Sequence, residues 1–228
     1  MTGETLSPQP LLEISPDKLD GLEAAMGQAG HGAFIIKQTL SAQTLDLTLR
    51  EVFDPDLVEF RDVHGQYYNK RGKLIVQNHT VYALKLHQGD PAFIDRVPRM
   101  RQLAAEVEQL VRSFGSMFLS LTDWTADEMS LHRDDDPKVG LMFHKDNLRF
   151  PGLVAVTTLE GESDFCIQEE SGSIYTHPVY PGDIALTRAP DLFPSDQDIR
   201  GEHAVLNLRT PFRTAFIVRA NSRPNDRL

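Results

Sequence analysis

His144, Asp146 and His203 are the residues of this 228-residue chain whose types and spacing could do chemistry. Two imidazoles and one carboxylate form the ligand set that holds a non-heme Fe(II) by one face and leaves the opposite face open to reactants. On an extended strand, residues two apart point to the same side, so one strand end could present both His144 and Asp146. His203 comes from a distant segment, and Arg213 and Arg219 follow it. A guanidinium at Arg213 stands where a carboxylic acid bound to such a metal would need a counter-charge.

A His-x-Asp tripeptide is weak by itself, because an acid-rich chain with eight His is expected to contain about one by chance. This chain has two, His132-Arg133-Asp134 and His144-Lys145-Asp146. The first runs into Asp135-Asp136-Pro137, a charged turn, so Asp134 is expected to face solvent. The second follows the apolar run Gly140–Phe143 and precedes a turn at Pro151-Gly152, the setting of a ligand at a barrel mouth. His203 opens the segment HAVLNL. Along the last strand Arg213, Ala215, Ile217 and Arg219 share one face, with Thr214, Phe216 and Val218 on the other. Two arginines beside Ala and Ile do not make a plain solvated surface.

The elements that must position these groups fall into two parts. Ser15-Pro16-Asp17 reads as a helix start that runs on to Gly30 or Gly32, and Ala33–Lys37 as a short strand. Residues 41–53 have helical spacing with many Thr. Val63–Leu86 reads as a hairpin turning at Asn69-Lys70-Arg71-Gly72. Pro98 opens a helix whose Leu103, Val107, Leu110, Val111 and Phe114 recur at helical spacing up to Gly115. From there short strands follow: Met117–Leu121, Glu128–His132, Val139–Phe143, Leu153–Leu159, Asp164–Gln168, Asp183–Thr187, His203–Leu208 and Arg213–Arg219. Short strands behind a helical third predict a mainly β fold with flanking α, a jelly-roll barrel backed by N-terminal helices. The expected organisation is one domain over 1–228, with 1–115 the helical and hairpin part and 116–222 the jelly-roll core.

Composition narrows the partners. A formal charge of −10 disfavours nucleic acid as principal partner, since phosphate backbones are bound by clustered Lys and Arg. The apolar runs AFII and LVAV are too short to span a membrane, and the proline-broken acidic start is not a signal or transit peptide. Cys166 is the single cysteine, which points to a reduced, cytoplasmic setting and to a small buried residue rather than a nucleophile. Trp124 reads as a core anchor.

His-x-Asp, then His, then Arg-x5-Arg on the last strand resembles the 2-oxoglutarate- and Fe(II)-dependent dioxygenases, particularly the AlkB-like arrangement. The segment PGDIALTR before His203 is similar to a strand these enzymes carry in the same place. The resemblance covers roughly the last hundred residues of the chain. It implies a double-stranded β-helix with Fe(II) on His144, Asp146 and His203, 2-oxoglutarate as co-substrate, and O2. By the same analogy Arg213 would take the distal carboxylate of 2-oxoglutarate and Arg219 would lie near the chelating one. The chain departs from the family at Ala215, where a Ser is common. It also has Met129-Ser130-Leu131-His132-Arg133 where an Asn or Tyr usually touches the co-substrate, which leaves Ser130, His132 or Arg133 as substitutes. An acid at Asp146 argues against halogenation.

The implied activity is hydroxylation of a C–H bond, with a small polar metabolite such as a free amino acid as the substrate expected of an acidic protein. A nucleobase, nucleotide or peptide hydroxylase or demethylase is the runner-up, and a cupin-like binding protein without oxygenase activity the third reading. A cupin has no need for Arg213 and Arg219 on the inner face. Asn147 and Arg149, beside the His-x-Asp, and Tyr67 and Tyr82 of the hairpin are the candidate substrate contacts.

Overall fold

Alternating apolar residues in the β-rich half build two cores from the same strands, and that division positions everything else. We describe the fold from a computed structural model covering residues 9–68, 72, 74–85, 95–134, 142–193 and 199–222; at 64, 67 and 75–85 it describes the backbone alone. Strands β1 (Ala33–Ile36), β2 (Arg61–Tyr68), β3 (Leu74–Lys85), β4 (Glu128–Asp134), β5 (Leu153–Glu160), β8 (Ile184–Arg188) and β10 (Arg213–Arg219) form one antiparallel sheet in the order β1-β8-β5-β10-β4-β3-β2. Strands β6 (Ser163–Gln168), β7 (Ile174–Val179) and β9 (Glu202–Leu206) form a second in the order β7-β6-β9. An isolated antiparallel bridge between His144 and His203 adds a one-residue strand on the far side of β9.

From β4 onward the chain alternates between the sheets: β4 in the large one, His144 in the small, β5 large, β6 and β7 small, β8 large, β9 small, β10 large. This is the double-stranded β-helix. Residues of one parity point into it: Val154, Val156, Phe165, Ile167, Ala185, Val205, Ala215 and Ile217 belong to one buried apolar cluster. Residues of the other parity, among them Met129, Leu131, Leu153, Ala155, Ile184, Leu186, Phe216 and Val218, join a second cluster with the helices. Burying both faces explains why β5 and β8 read as near-continuous apolar runs rather than alternating ones.

The helices cover the outer face of the large sheet. Helix α1 is Leu22–Met26, α2 is Ala42–Val52 and α3 is Pro98–Ser113. Met100, Leu103, Ala104, Val107, Leu110 and Val111 of α3 are all buried, a stripe at helical spacing. Pro98 sits in its first turn, and Glu51 of α2 accepts hydrogen bonds from the Arg99 and Met100 amides at 3.0 and 2.8 Å, so one helix caps the next. Ser41 caps α2 through the Thr44 amide. No helix of the described residues is long and apolar enough to cross a membrane.

Several sequence expectations change here. The helix expected from Pro16 to Gly30 is a 3-10 turn at Pro16–Leu19 and a five-residue helix, interrupted by Gly21 at φ 84°. Met117–Leu121 is not a strand: 3-10 turns at Phe114–Ser116 and Leu119–Leu121 follow α3. Residues 139–141 of the expected Val139–Phe143 strand lie outside the described residues, and Met142 and Phe143 are not in a strand. Strand β7 was not anticipated: it is an edge strand, largely exposed and carrying Pro178, so it lacks an apolar signature. The strands of the expected hairpin are present as β2 and β3, paired from Arg61↔Val81 to Tyr68↔Leu74, while residues 69–71 of its expected turn and Leu86 at its expected end lie outside the described residues. Strand β3 pairs with β4 to extend the large sheet.

Candidate active site

Cross-strand pairing creates the site. His144 and His203 sit directly opposite each other and exchange both backbone hydrogen bonds, at 3.0 and 2.8 Å. Opposed residues on neighbouring strands project to the same face, so the two imidazoles come together, with ring centroids 4.3 Å apart. Asp146, two residues on, places Oδ2 3.5 Å from His203 Nε2. One ligand atom from each of the three lies within 4.8 Å of the others. The sequence placed His144 and Asp146 on a strand end; in the structure that strand is a single bridge and Asp146 lies in the loop after it.

The surroundings fit a divalent metal. His144 Nδ1 is 2.8 Å from the Met142 carbonyl oxygen, which orients the ring and leaves Nε2 free to ligate. The imidazole of His203 is pushed down to about 4, first by burial and then by the neighbouring His144 imidazole, with Asp146 opposing. It is therefore neutral near pH 7, as ligation requires. For Asp146, burial acts to raise the carboxyl, but His203, His144, Arg219 and Arg200 together outweigh it and hold the group below its ordinary value. Phe165 stacks on the His203 ring at 5.8 Å, an apolar wall behind the ligand.

A layer of arginines surrounds the triad. Arg219 Nη2 donates to Ser130 Oγ at 2.9 Å, its Nη1 lies 3.9 Å from Asp146 Oδ1, and its guanidinium covers the Phe150 ring at 4.4 Å. Its Nε is 3.3 Å from Glu128 Oε1, and Glu128 is 1% exposed. Glu128 also lies 3.6 Å from Arg149 Nη2, so one buried carboxylate sits between two arginines. Arg200 donates from Nη1 to the Asp146 carbonyl at 3.0 Å. Sequence reading missed Glu128 and Arg200; the only available signal was the closeness of Arg200 to His203 in the chain.

The other expected contacts are distributed as follows. Ser130 and Arg219 lie beside the triad. His132 occupies the same inward face, opposite Ala215 in the ladder between β4 and β10. Arg213 is at the other end of β10, 2% exposed, with Thr158 Oγ1 3.5 Å from Nη2. Its main partner corrects an expectation: Asp134 does not face solvent but is buried, with Oδ2 3.3 Å from Arg213 Nη1, because the β4–β10 register sets the two residues opposite each other. Asn147 is exposed and accepts from the Arg149 amide at 3.1 Å, while the Arg149 side chain turns toward Glu128 and the Phe150 ring. Tyr67 and Tyr82 are in β2 and β3 by backbone, and their side chains lie outside the described residues. Trp124 is in the helix-side core and Cys166 is buried, its thiol raised chiefly by that burial.

No protein-family model matches the chain, and no curated protein does. Solved structures do. A 2OG-Fe(II) oxygenase family oxidoreductase from Burkholderia pseudomallei aligns over 95% of this chain and 96% of its own at 12% identity, with a TM-score of 0.64. A Trichoplax adhaerens prolyl hydroxylase, in complex with a hypoxia inducible factor peptide fragment, aligns over 92% and 96% at 12% identity and 0.59. A full-length protein from Neurospora crassa, in complex with alpha-KG and thymine, aligns over 90% and 80% at 11% identity and 0.57. The fold of this chain is thus that of the 2-oxoglutarate- and Fe(II)-dependent oxygenases. The same fold serves ligands as different as a peptide and a nucleobase.

Proposed function

We propose that this protein is an Fe(II)- and 2-oxoglutarate-dependent dioxygenase that hydroxylates a C–H bond of a small polar metabolite, a free amino acid being the default class. The observation that carries the reading is the convergence of His144, Asp146 and His203 on one face inside a barrel of the oxygenase fold. In this reading His144, Asp146 and His203 hold Fe(II). Bound there, the metal with 2-oxoglutarate and O2 supplies oxidative decarboxylation to succinate and CO2 and the oxidation of a substrate C–H.

The chain's own residues do the rest. The Met142 carbonyl fixes the His144 ring, and Phe165 backs that of His203. Arg219, held between Ser130 and Glu128, presents positive charge next to Asp146, where the chelating end of a keto-acid would need it. Arg213 offers the forked donor for the far carboxylate, and Ser130 and His132 line the same inward face. Val156, Phe165, Ile167 and Ile217 make the interior apolar and exclude water. Asn147 and Arg149 follow Asp146 in the chain and are the candidate substrate contacts of the described residues, with Tyr67 and Tyr82 added from the hairpin. The reading takes 1–228 as one oxygenase domain, 1–115 flanking a core at 116–222. The shared apolar cluster between the helices and the outer face of the large sheet supports it.

The test is an anaerobic titration of metal-free protein with Fe(II) and then 2-oxoglutarate, followed by the weak visible band of a chelated keto-acid. The band is expected in the native protein, is expected to vanish in His203→Ala and to need more co-substrate in Arg213→Ala. Folded, metal-bound protein without a band would refute the assignment and leave a cupin-like binding protein. With the band in hand, succinate release against a panel of amino acids, nucleobases and peptides tests the substrate class.

A further inference from the structure

The arginine assigned to the far end of the co-substrate already has a buried carboxylate of its own. Arg213 is 2% exposed and Asp134 4%. They close the β4–β10 ladder opposite each other, and Asp134 Oδ2 lies 3.3 Å from Arg213 Nη1. The remaining donors are less well used: Thr158 Oγ1 is 3.5 Å from Nη2, and Nε has no hydrogen-bond partner among the described residues. The two side chains form a buried ion pair.

We infer that Asp134 is a specificity-determining residue for the co-substrate: it neutralises Arg213 and removes most of the preference for a keto-acid with a distal carboxylate over one with a neutral tail. This rests on the oxygenase reading above. A buried arginine without a counter-ion discriminates strongly, because a ligand lacking the carboxylate leaves the cation unpaired. With Asp134 in place that penalty is absent, and a distal carboxylate brings a second negative charge against the first. The diacid is still accepted through Nε and the unused Nη hydrogens, since a guanidinium has five donors in a fixed fork. Discrimination between the two tails is what Asp134 changes.

The experiment titrates the anaerobic Fe(II) protein with 2-oxoglutarate and with 2-oxopentanoate, which has the same chain length and no distal carboxylate. Binding is read from the keto-acid band and by calorimetry, so no turnover is needed. The native protein is expected to prefer the diacid by less than about tenfold, and Asp134→Asn to raise that preference to about a hundredfold or more. A native preference above a hundredfold overturns the inference, and so does a ratio that Asp134→Asn leaves unmoved. Should the variant not fold, the native ratio decides alone. If neither keto-acid binds the native protein, the oxygenase reading has failed and this inference falls with it. If both bind and the ratio does not move, only the inference falls.

Discussion

Replacing Glu128 with Gln removes one buried negative charge from between two arginines and leaves both cations in place. Glu128 is 1% exposed; its Oε1 is 3.3 Å from Arg219 Nε and its Oε2 3.6 Å from Arg149 Nη2, with Asn221 Nδ2 at 3.5 Å. At these separations and an effective dielectric near 20, each attraction is worth about 5 kcal/mol before desolvation. Burying the carboxylate takes back much of that, and the partly exposed arginine side chains are screened by water. Breaking such a pair from one side typically costs about 3–5 kcal/mol. With screening we expect about 2–4 kcal/mol of lost stability in Glu128→Gln, a fall of roughly 4–16 °C in the midpoint for a chain of this size. Thermal or urea unfolding of the metal-free protein measures it. A second readout follows from the role of Glu128 in holding Arg219 beside Asp146: the variant should bind 2-oxoglutarate about three- to tenfold more weakly in the anaerobic titration. A variant within about 0.5 kcal/mol of native, with unchanged co-substrate binding, would refute the reasoning, since surface substitutions behave that way and buried clamps do not.

Gly161 has φ +80°, and a Cβ there would lie 2.2 Å from the Phe212 carbonyl oxygen, so Gly161→Ala is expected to lose about 2–4 kcal/mol in urea unfolding; a neutral result would show that the β5–β6 turn can move away from β10. Removing the Glu51 cap on α3 in Glu51→Ala exposes the Arg99 and Met100 amides and should cost about 1–2 kcal/mol, again read by urea. His31 and His177 have rings 5.1 Å apart and are both lowered below their ordinary value, chiefly by burial. The unfolded chain therefore takes up these protons first, near pH 6.5, so their contribution is complete above that pH and is lost as pH falls below it. Unfolding of the metal-free protein should show this decline, and a His31→Gln/His177→Gln variant should show less of it; equal slopes would contradict the assignment.

The three residues that converge as a candidate metal site and the faces of the last strand were legible from the order of residues. His-x-Asp, His203 and the alternation of Arg213, Ala215, Ile217 and Arg219 are local or periodic features, and strand parity alone puts the four on one side of β10. The α3 stripe was legible for the same reason. Edge strand β7 was not, because a largely exposed strand with a Pro, whose Val179 is its one buried apolar residue, is too short of apolar residues to leave a pattern. Nor was it legible that, among the described residues, His144 pairs through a single bridge, which depends on β9 rather than on local propensity.

By itself the sequence determined which chemistry is available and which face of each strand carries it, because periodicity is a property of the backbone. Pairing decided who stands opposite whom. Only the tertiary structure could bring His203 to His144 and Glu128 to Arg219, or set Asp134 against Arg213. A turn of three consecutive acids reads as solvated until the β4–β10 register buries its first member. The register is long-range: it follows from which apolar faces can be buried together across both sheets, and no stretch of neighbouring residues contains that information.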